Sequence, residues 1–240
     1  MSDPRTSVIQ ERMKNVRDVI AISSGKGGVG KSLVASTLAL ALVKKGFKVG
    51  LFDLDFTSPS THVILGIEGV QPKEDRGIIP PIACGLRYMS IIYYSGDLAA
   101  PLRGMDVSNA LIELLAITKW GKLDYLVLDM PPGIGDATLD LIRLIKNTRF
   151  LIVTTPSQLA FETVKKLVSL LESQRIPIIG VLENMKMKNS NVIRKSTEAL
   201  DLKFLGEIHY DAAIEPALGK VEALQKTVFA KDIQKIIGKI

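Results

Sequence analysis

The sequence predicts an α/β fold: a doubly wound, mainly parallel sheet flanked by helices. Three features predict it. Short apolar runs alternate with helix-period segments along most of the chain, the pattern of parallel strands covered on both faces. A glycine-rich stretch, Ser24-Gly25-Lys26-Gly27-Gly28-Val29-Gly30-Lys31-Ser32, joins an apolar run to a helix-like segment. Acids stand where two further apolar runs end, at Asp53 and Asp129, and in open α/β sheets that edge carries the ligand site.

Composition sets the outer bounds. A chain of 240 residues can bury one large core. No repeat or linker divides it, so residues 18–240 are read as one domain, after a polar lead-in over 1–17 that holds a short helix. The longest apolar run, residues 33–43, contains Ser36 and Thr37 and is too short to span a bilayer. The first residues lack the apolar centre of an export signal, and Cys84 is the single cysteine, so no disulfide framework is expected. The expectation is a cytoplasmic protein. The net charge of +6 is spread along the chain without interleaved aromatic residues, so no specific nucleic-acid partner is expected.

The elements follow in order. Residues 19–22 form the first strand, and the glycines after it fit GxxxxGK[ST] from Gly25 through Gly30, Lys31 and Ser32. Glycines let the chain curl until successive N–H groups face phosphate oxygens, and the start of the helix over 31–45 adds its positive end. The nucleotide-binding run is therefore Gly25, Lys26, Gly27, Gly28, Val29, Gly30, Lys31, Ser32 and Leu33. Lys31 would place a charge on the β- and γ-phosphates, and Ser32 would offer its hydroxyl to Mg²⁺. Lys26, five residues before Lys31, is a second lysine that an ordinary phosphate loop does not need.

Residues 48–53 read as the second strand, delivering Asp53 and Asp55 to its carboxyl end. Carboxylates there can hold a Mg²⁺ shell or orient a water, or can simply cap the next turn. Residues 66–85, rich in glycine and proline, read as a loop inserted on the ligand-facing edge. A strand over 86–92 and an amphipathic helix over 105–120 follow, with Met105 and Trp120 as core. Residues 125–129 form a strand whose final acid, Asp129, would accept hydrogen bonds from Mg²⁺-bound water. A strand over 150–155, a helix over 157–173 capped by Ser157, and a strand over 176–182 complete the alternation. His62 and His209 stand isolated and are read as structural.

Several of these stretches resemble one family. Lys26-Gly27-Gly28-Val29-Gly30-Lys31-Ser32 resembles the deviant phosphate loop of the MinD/ParA/Mrp group of ATPases. Asp129-Met130-Pro131-Pro132-Gly133-Ile134-Gly135-Asp136 resembles the second switch of its Mrp/ApbC branch, with Ile134 where threonine is usual. Phe56-Thr57-Ser58-Pro59-Ser60 is similar to the first switch, with Ser58 in place of glycine. Glu183-Asn184-Met185 matches the branch's Glu-Asn-Met, and residues 206–211 its Gly-x-Ile-Pro-x-Asp, with His209 in place of proline.

The resemblance implies a slow, Mg²⁺-dependent ATPase that works as a face-to-face homodimer in iron–sulfur cluster assembly or transfer. Lys26 would act across the interface on the partner's nucleotide, and Lys31 on its own. Asp55 would position the attacking water; Ser32, Asp53 and Asp129 would surround the metal; Asn184 would recognise adenine. Cluster-carrying members have a Cys-x-x-Cys shortly after that asparagine, whereas Lys186-Met187-Lys188-Asn189-Ser190-Asn191 contains none. The resemblance therefore also implies work beside a cysteine-bearing paralogue or another iron–sulfur client. The rival expectation is a MinD- or ParA-like positioning ATPase on a membrane or nucleoid, for which an amphipathic stretch over 224–240 would be the docking element.

Overall fold

The computed structural model describes residues 3–95 and 105–240. The chain opens with α1 (Arg5–Met13), β1 (Val16–Ser23), α2 (Lys31–Lys44), β2 (Val49–Asp53) and α3 (Thr61–Leu65). Three two-residue strands follow, β3 (Lys73–Glu74), β4 (Ile78–Ile79) and β5 (Ile82–Ala83), then β6 (Leu86–Ser90) and α4 (Ile92–Ser95). The middle holds α5 (Met105–Ile117), β7 (Leu123–Asp129), α6 (Asp136–Leu144), β8 (Thr148–Thr154) and α7 (Gln158–Ser173). The last part holds β9 (Ile178–Lys186), α8 (Val192–Glu198), β10 (Phe204–His209), α9 (Ile214–Ala217), α10 (Val221–Leu224) and α11 (Val228–Ile237).

Eight strands form one sheet in the order β10-β9-β8-β1-β7-β2-β6-β5, parallel throughout except for β5. Strand side chains point alternately to the two faces, so each face needs its own helical cover. Ala21, Phe52, Leu128 and Phe150 face a core closed by α1, α5, α6 and α7. Ile20, Ile22, Leu51 and Val153 face the other core, closed by α2, α3 and α11. Fully buried strand interiors explain the unbroken apolar runs in the sequence. Trp120 is buried as expected, and the side chain of Met105 lies outside the described residues.

The lead-in packs on the domain: Ile9 of α1 is buried in the core, and β1 begins at Val16. Three expectations change. Residues 66–85 do not decorate the ligand edge. A parallel sheet requires the chain to return to the amino ends before β6 starts, and this segment makes that return. It forms the β3–β4 hairpin and β5, and Ile78 bridges Thr118 ahead of β7. The strand predicted over 176–182 runs on to Lys186, so Glu183 and Asn184 lie inside β9. Finally, α11 spends its apolar face on this domain: Phe229, Ile233, Ile236 and Ile237 pack into the second core, leaving that face no lipid to meet.

Candidate nucleotide site

The carboxyl ends of β1, β2, β7, β9 and β10 converge on a cavity of about 510 Å³. Its floor is the loop between β1 and α2. Gly30 caps α2 in the left-handed region at φ 80°, where a Cβ would also meet Asn184 Nδ2 at 2.4 Å. Gly25 is required for a different reason: a Cβ there would lie 2.2 Å from Thr163 Oγ1 and 2.6 Å from its backbone carbon. Close seating of the loop on α7 thus excludes any side chain at position 25.

Lys26 through Leu33 all line the cavity. Lys31 reaches over the first turn of α2 to Asp129, with Nζ 2.6 Å from Oδ1, and both residues are buried. The Ser32 hydroxyl lies 3.5 Å from the same ammonium. Burial pushes the Asp129 carboxyl up to about 6; the Lys31 charge opposes the rise and the Asp53 charge adds to it. The second Asp129 oxygen, Oδ2, is buried without a hydrogen-bond partner among the described residues. Leaving a charged oxygen in that state costs free energy that a cation or its bound water would offset.

Those residues fit Mg²⁺ in the way phosphate sites hold it. Among the described residues no cluster of three histidine, cysteine or acidic side chains could cage a metal alone. Mg²⁺ bound with phosphates needs only one or two protein oxygens, keeping water in its remaining positions. Ser32 and Asp129 are the two groups so placed.

The neighbouring acids divide their work. Asp53 is fully buried, and its Oδ2 accepts hydrogen bonds from the Ser60 and Thr61 amides and the Thr61 hydroxyl, while Oδ1 accepts from the Asp55 amide. Burial raises its carboxyl and the Thr61 bonds oppose that rise. Asp53 therefore holds the 54–60 turn in shape and, like Asp129, lies beneath the residues that line the cavity. Asp55 does line it. Its Oδ1 accepts from the Thr57 hydroxyl at 2.8 Å and the Ser58 amide at 3.2 Å, and Oδ2 takes part in neither bond. The second switch-like segment is tied to the loop from below: the Met130 amide donates to Ile22 and the Gly133 amide to Ser24. Lys26 is exposed and forms no ion pair among the described residues.

At the far end, Asn184 Nδ2 donates to the Val29 carbonyl at 2.8 Å, so the amide oxygen is the atom left for a ligand. Met185 beside it takes φ 60°, a conformation that a non-glycine residue holds only where its surroundings enforce it. His209, Tyr210, Asp211 and Phe229 also line the cavity. Reading the chain as sequence missed His209: far from isolated, its Nδ1 lies 2.9 Å from Asp232 on α11. It also missed a buried ion cluster in which Lys186 pairs with Glu183 at 3.5 Å and with Glu207. Lys186 further donates to the Ser190 carbonyl at 2.8 Å, fastening the 187–191 segment. The His209–Asp232 and Lys186–Glu207 pairings have no local signal, since these partners are joined only by adjacent strands and helices. Cys84 precedes β6, at the amino end of the sheet and near its other edge, so it cannot join the residues after β9.

A glycine loop between a strand and the helix that begins with Lys31, facing acids on the neighbouring strand ends, defines a P-loop nucleotide-binding α/β protein. Comparison with known proteins narrows the class. A family model described as "ParA: NUBPL iron-transfer P-loop NTPase" matches residues 15–240. An iron-sulfur cluster carrier protein of Methanocaldococcus jannaschii is 36% identical, over 97% of this chain and 88% of that protein. Its namesakes in Aquifex aeolicus and Pseudomonas fragi are 38% and 44% identical; the matches take in 90% and 72% of this chain but 64% and 62% of theirs. The chain thus spans less than two thirds of the length of those two relatives. Among solved structures, a nucleotide-binding protein from Archaeoglobus fulgidus in complex with ADP superposes with a TM-score of 0.78 at 30% identity, over 92% of this chain and 93% of that one. The cell division ATPase MinD of Pyrococcus furiosus shares the fold, with a TM-score of 0.64 at 21% identity, over 92% and 97% of the two chains. The chain belongs to the family of iron-transfer P-loop NTPases, in the Mrp/ApbC branch that its loop and switches resemble.

Proposed function

We propose that this protein is a Mg²⁺-dependent ATPase that works as a nucleotide-gated homodimer and serves iron–sulfur cluster assembly or transfer. The observation that carries the proposal is the ion pair between Lys31, which lines the cavity, and Asp129 buried beneath it. Lys31 and Asp129 neutralise each other while one Asp129 oxygen stays unpartnered. A triphosphate with Mg²⁺ answers both residues: the phosphates take over Lys31, and the metal's water shell takes over Asp129. Bound Mg²⁺ supplies charge neutralisation on the β- and γ-phosphates. Lys31 binds the phosphates of its own protomer, the loop amides orient them, and Asp55 accepts a hydrogen bond from the attacking water. The asparagine oxygen at 184 takes the amino edge of adenine.

Lys26 is the dimer residue in this reading. Exposed at the mouth of the loop and committed to no acid, it is available to a second protomer's γ-phosphate, where transition-state charge develops. The names of the relatives support the cargo, and the 186–191 stretch shapes it. With no cysteine there, the chain acts on a cluster through a partner that brings the thiolates, such as a cysteine-bearing paralogue or an iron–sulfur client. A membrane-positioning role finds no support in α11, whose apolar face is covered by the domain, and no helix of the described residues is long and apolar enough to cross a membrane.

Two measurements test the proposal. Phosphate release from Mg²⁺–ATP should exceed a no-protein blank and vanish with EDTA; equality with the blank removes the ATPase. Anaerobic reconstitution with iron and sulfide should leave the lone homodimer without a stoichiometric cluster, while the same treatment beside a cysteine-bearing relative should yield a shared complex. A stoichiometric cluster on the homodimer alone would overturn the partner-dependent part.

A further inference from the structure

The turn that carries Asp55 is closed at both ends on one side chain. Asp53 Oδ1 accepts from the Asp55 amide at 3.1 Å, and Oδ2 from the Ser60 and Thr61 amides, each at 3.1 Å. A rotation of this carboxylate would therefore shift both ends of the turn together. Asp55 and Ser60, at those ends, line the cavity.

Behind the carboxylate stands a chain of hydroxyls. Thr61, the first residue of α3, donates its hydroxyl hydrogen to Asp53 Oδ2 at 2.7 Å, and the Tyr88 hydroxyl lies 2.9 Å from the same Thr61 oxygen. The direction of both bonds follows from the hydrogens at hand. Both Asp53 oxygens already accept amide hydrogens, so the carboxylate is the acceptor toward Thr61. The one hydroxyl hydrogen of Thr61 is committed there, which leaves Tyr88 to donate to Thr61. Burial, reinforced by the Asp53 charge, holds the Tyr88 hydroxyl well above its usual value, so it keeps that hydrogen. Register brings the line together: β2 sets Leu51 beside Tyr88 of β6, and Asp53 follows two residues on, on the same face. Tyr88, Thr61 and Asp53 thus join β6, α3 and β2 in one oriented line, and all of them are completely buried.

Core packing does not ask for these hydroxyls. Phenylalanine at 88 and valine at 61 would fill much the same space with no polar group to satisfy. What the line does control is the carboxylate's orientation, and with it the cavity-lining ends of the 54–60 turn.

We propose that Thr61 and Tyr88 are positioning residues for nucleotide hydrolysis: their hydroxyls lock the Asp53 carboxylate and, through the 54–60 turn, hold Asp55 where it meets the attacking water. The inference rests on the reading of Asp55 as the acid that orients that water. Neither Thr61 nor Tyr88 lines the cavity, so their loss should be felt in turnover and not in binding. Misplacing a reacting group by about 1 Å can cost about 100-fold in rate, and loosening the line should cost part of that.

The test compares Tyr88→Phe, Thr61→Val and Thr61→Ser in the full chain. Phosphate release from Mg²⁺–ATP gives kcat and KM, calorimetry with a non-hydrolysable ATP analogue gives affinity, and amide hydrogen exchange read by NMR reports on the turn. In Tyr88→Phe kcat should fall about tenfold, and in Thr61→Val about 30-fold, with KM and analogue affinity within about twofold of wild type. Exchange at the Asp55, Ser60 and Thr61 amides should quicken about fivefold in both, while the amides of β1 and β8 keep their wild-type rates. Thr61→Ser, which keeps the hydroxyl, should recover most of the rate lost in Thr61→Val. A merely structural pair would lower Tm and leave kcat per folded molecule unchanged, and that result overturns the assignment. So does a loss of analogue affinity equal to the loss of kcat, or a Thr61→Ser variant no faster than Thr61→Val. Should Thr61→Val fail to fold, Tyr88→Phe decides alone, and wild-type kcat in it overturns the inference. The underlying readings fail in other ways. No phosphate release above the blank in the wild-type protein removes the ATPase and this inference with it. Wild-type turnover in Asp55→Ala removes the water-orienting acid and the inference, and leaves the ATPase standing.

Discussion

The two ends of the central sheet are built to different standards. At the amino ends, charges are settled within the chain. Arg149 at the start of β8 pairs with Asp18 of β1, and Arg17 pairs with Asp124 of β7 and lies over the Tyr125 ring. Asp124 also accepts from the Lys48 amide ahead of β2. At the carboxyl ends of the same strands, Ser23, Asp129 and Thr154 carry buried oxygens with no hydrogen-bond partner among the described residues. The charged groups at one end are paired by folding alone; at the other, Asp129 keeps in reserve an oxygen that a metal's bound water could partner.

Breaking the reserve should cost far more function than breaking the settled end. Lys31→Ala is the largest expected effect. Nucleotide affinity should fall beyond detection, and unfolding free energy at pH 8 should drop by about 3–5 kcal/mol, because Asp129 is left buried and unpaired. Chemical denaturation with and without Mg²⁺–ATP checks both parts. Lys26→Ala should separate binding from turnover. Hydrolysis and ATP-driven dimerisation should fall about 100-fold or more, with ligand-free stability within about 0.5 kcal/mol of wild type. Phosphate release and analytical ultracentrifugation read these two out.

Gly25→Ala should cost about 1–3 kcal/mol in urea unfolding, through collision with α7. Thr163→Ala should not restore the loss, since the Thr163 backbone carbon already lies 2.6 Å from the added Cβ.

A titration sharpens the same contrast. Because the Asp129 carboxyl is raised from 3.8 to about 6, the ligand-free fold holds that proton better than the unfolded chain does. Its contribution to ligand-free stability is full below about 3.8 and is lost as pH rises through about 6. Mg²⁺ needs the ionised form, so the increase in Tm given by Mg²⁺ at saturating ATP should shrink as pH falls below 6. Differential scanning fluorimetry from pH 5 to 8 measures it; a constant increment would show that Asp129 is not the metal's anchor. The smallest effect belongs to the settled end. Arg149→Ala should cost about 1 kcal/mol in stability and leave nucleotide affinity unchanged, because its pair with Asp18 is partly exposed.

Much of this was legible before any coordinates. Strand and helix alternation could be read because strands buried on both faces leave unbroken apolar runs, and the glycine loop because its backbone tolerates few alternatives. The 66–85 segment was misplaced for a physical reason. Glycine and proline mark where regular structure stops, but not which end of the sheet the chain is crossing. The role of Asp53 as the anchor of the 54–60 turn could not be separated from metal binding either, since both need a carboxylate at a strand end.

Residue order alone determined the α/β alternation, the loop that curls around phosphates, and the acids that end β2 and β7, since each is a local pattern with one dominant physical outcome. Tertiary structure decided which acid lies bare beneath Lys31, why position 25 admits no side chain, and that Asp232 reaches His209. Those are contacts between segments far apart in the chain, set by how strands line up and helices pack, and no local pattern of residues encodes such distances.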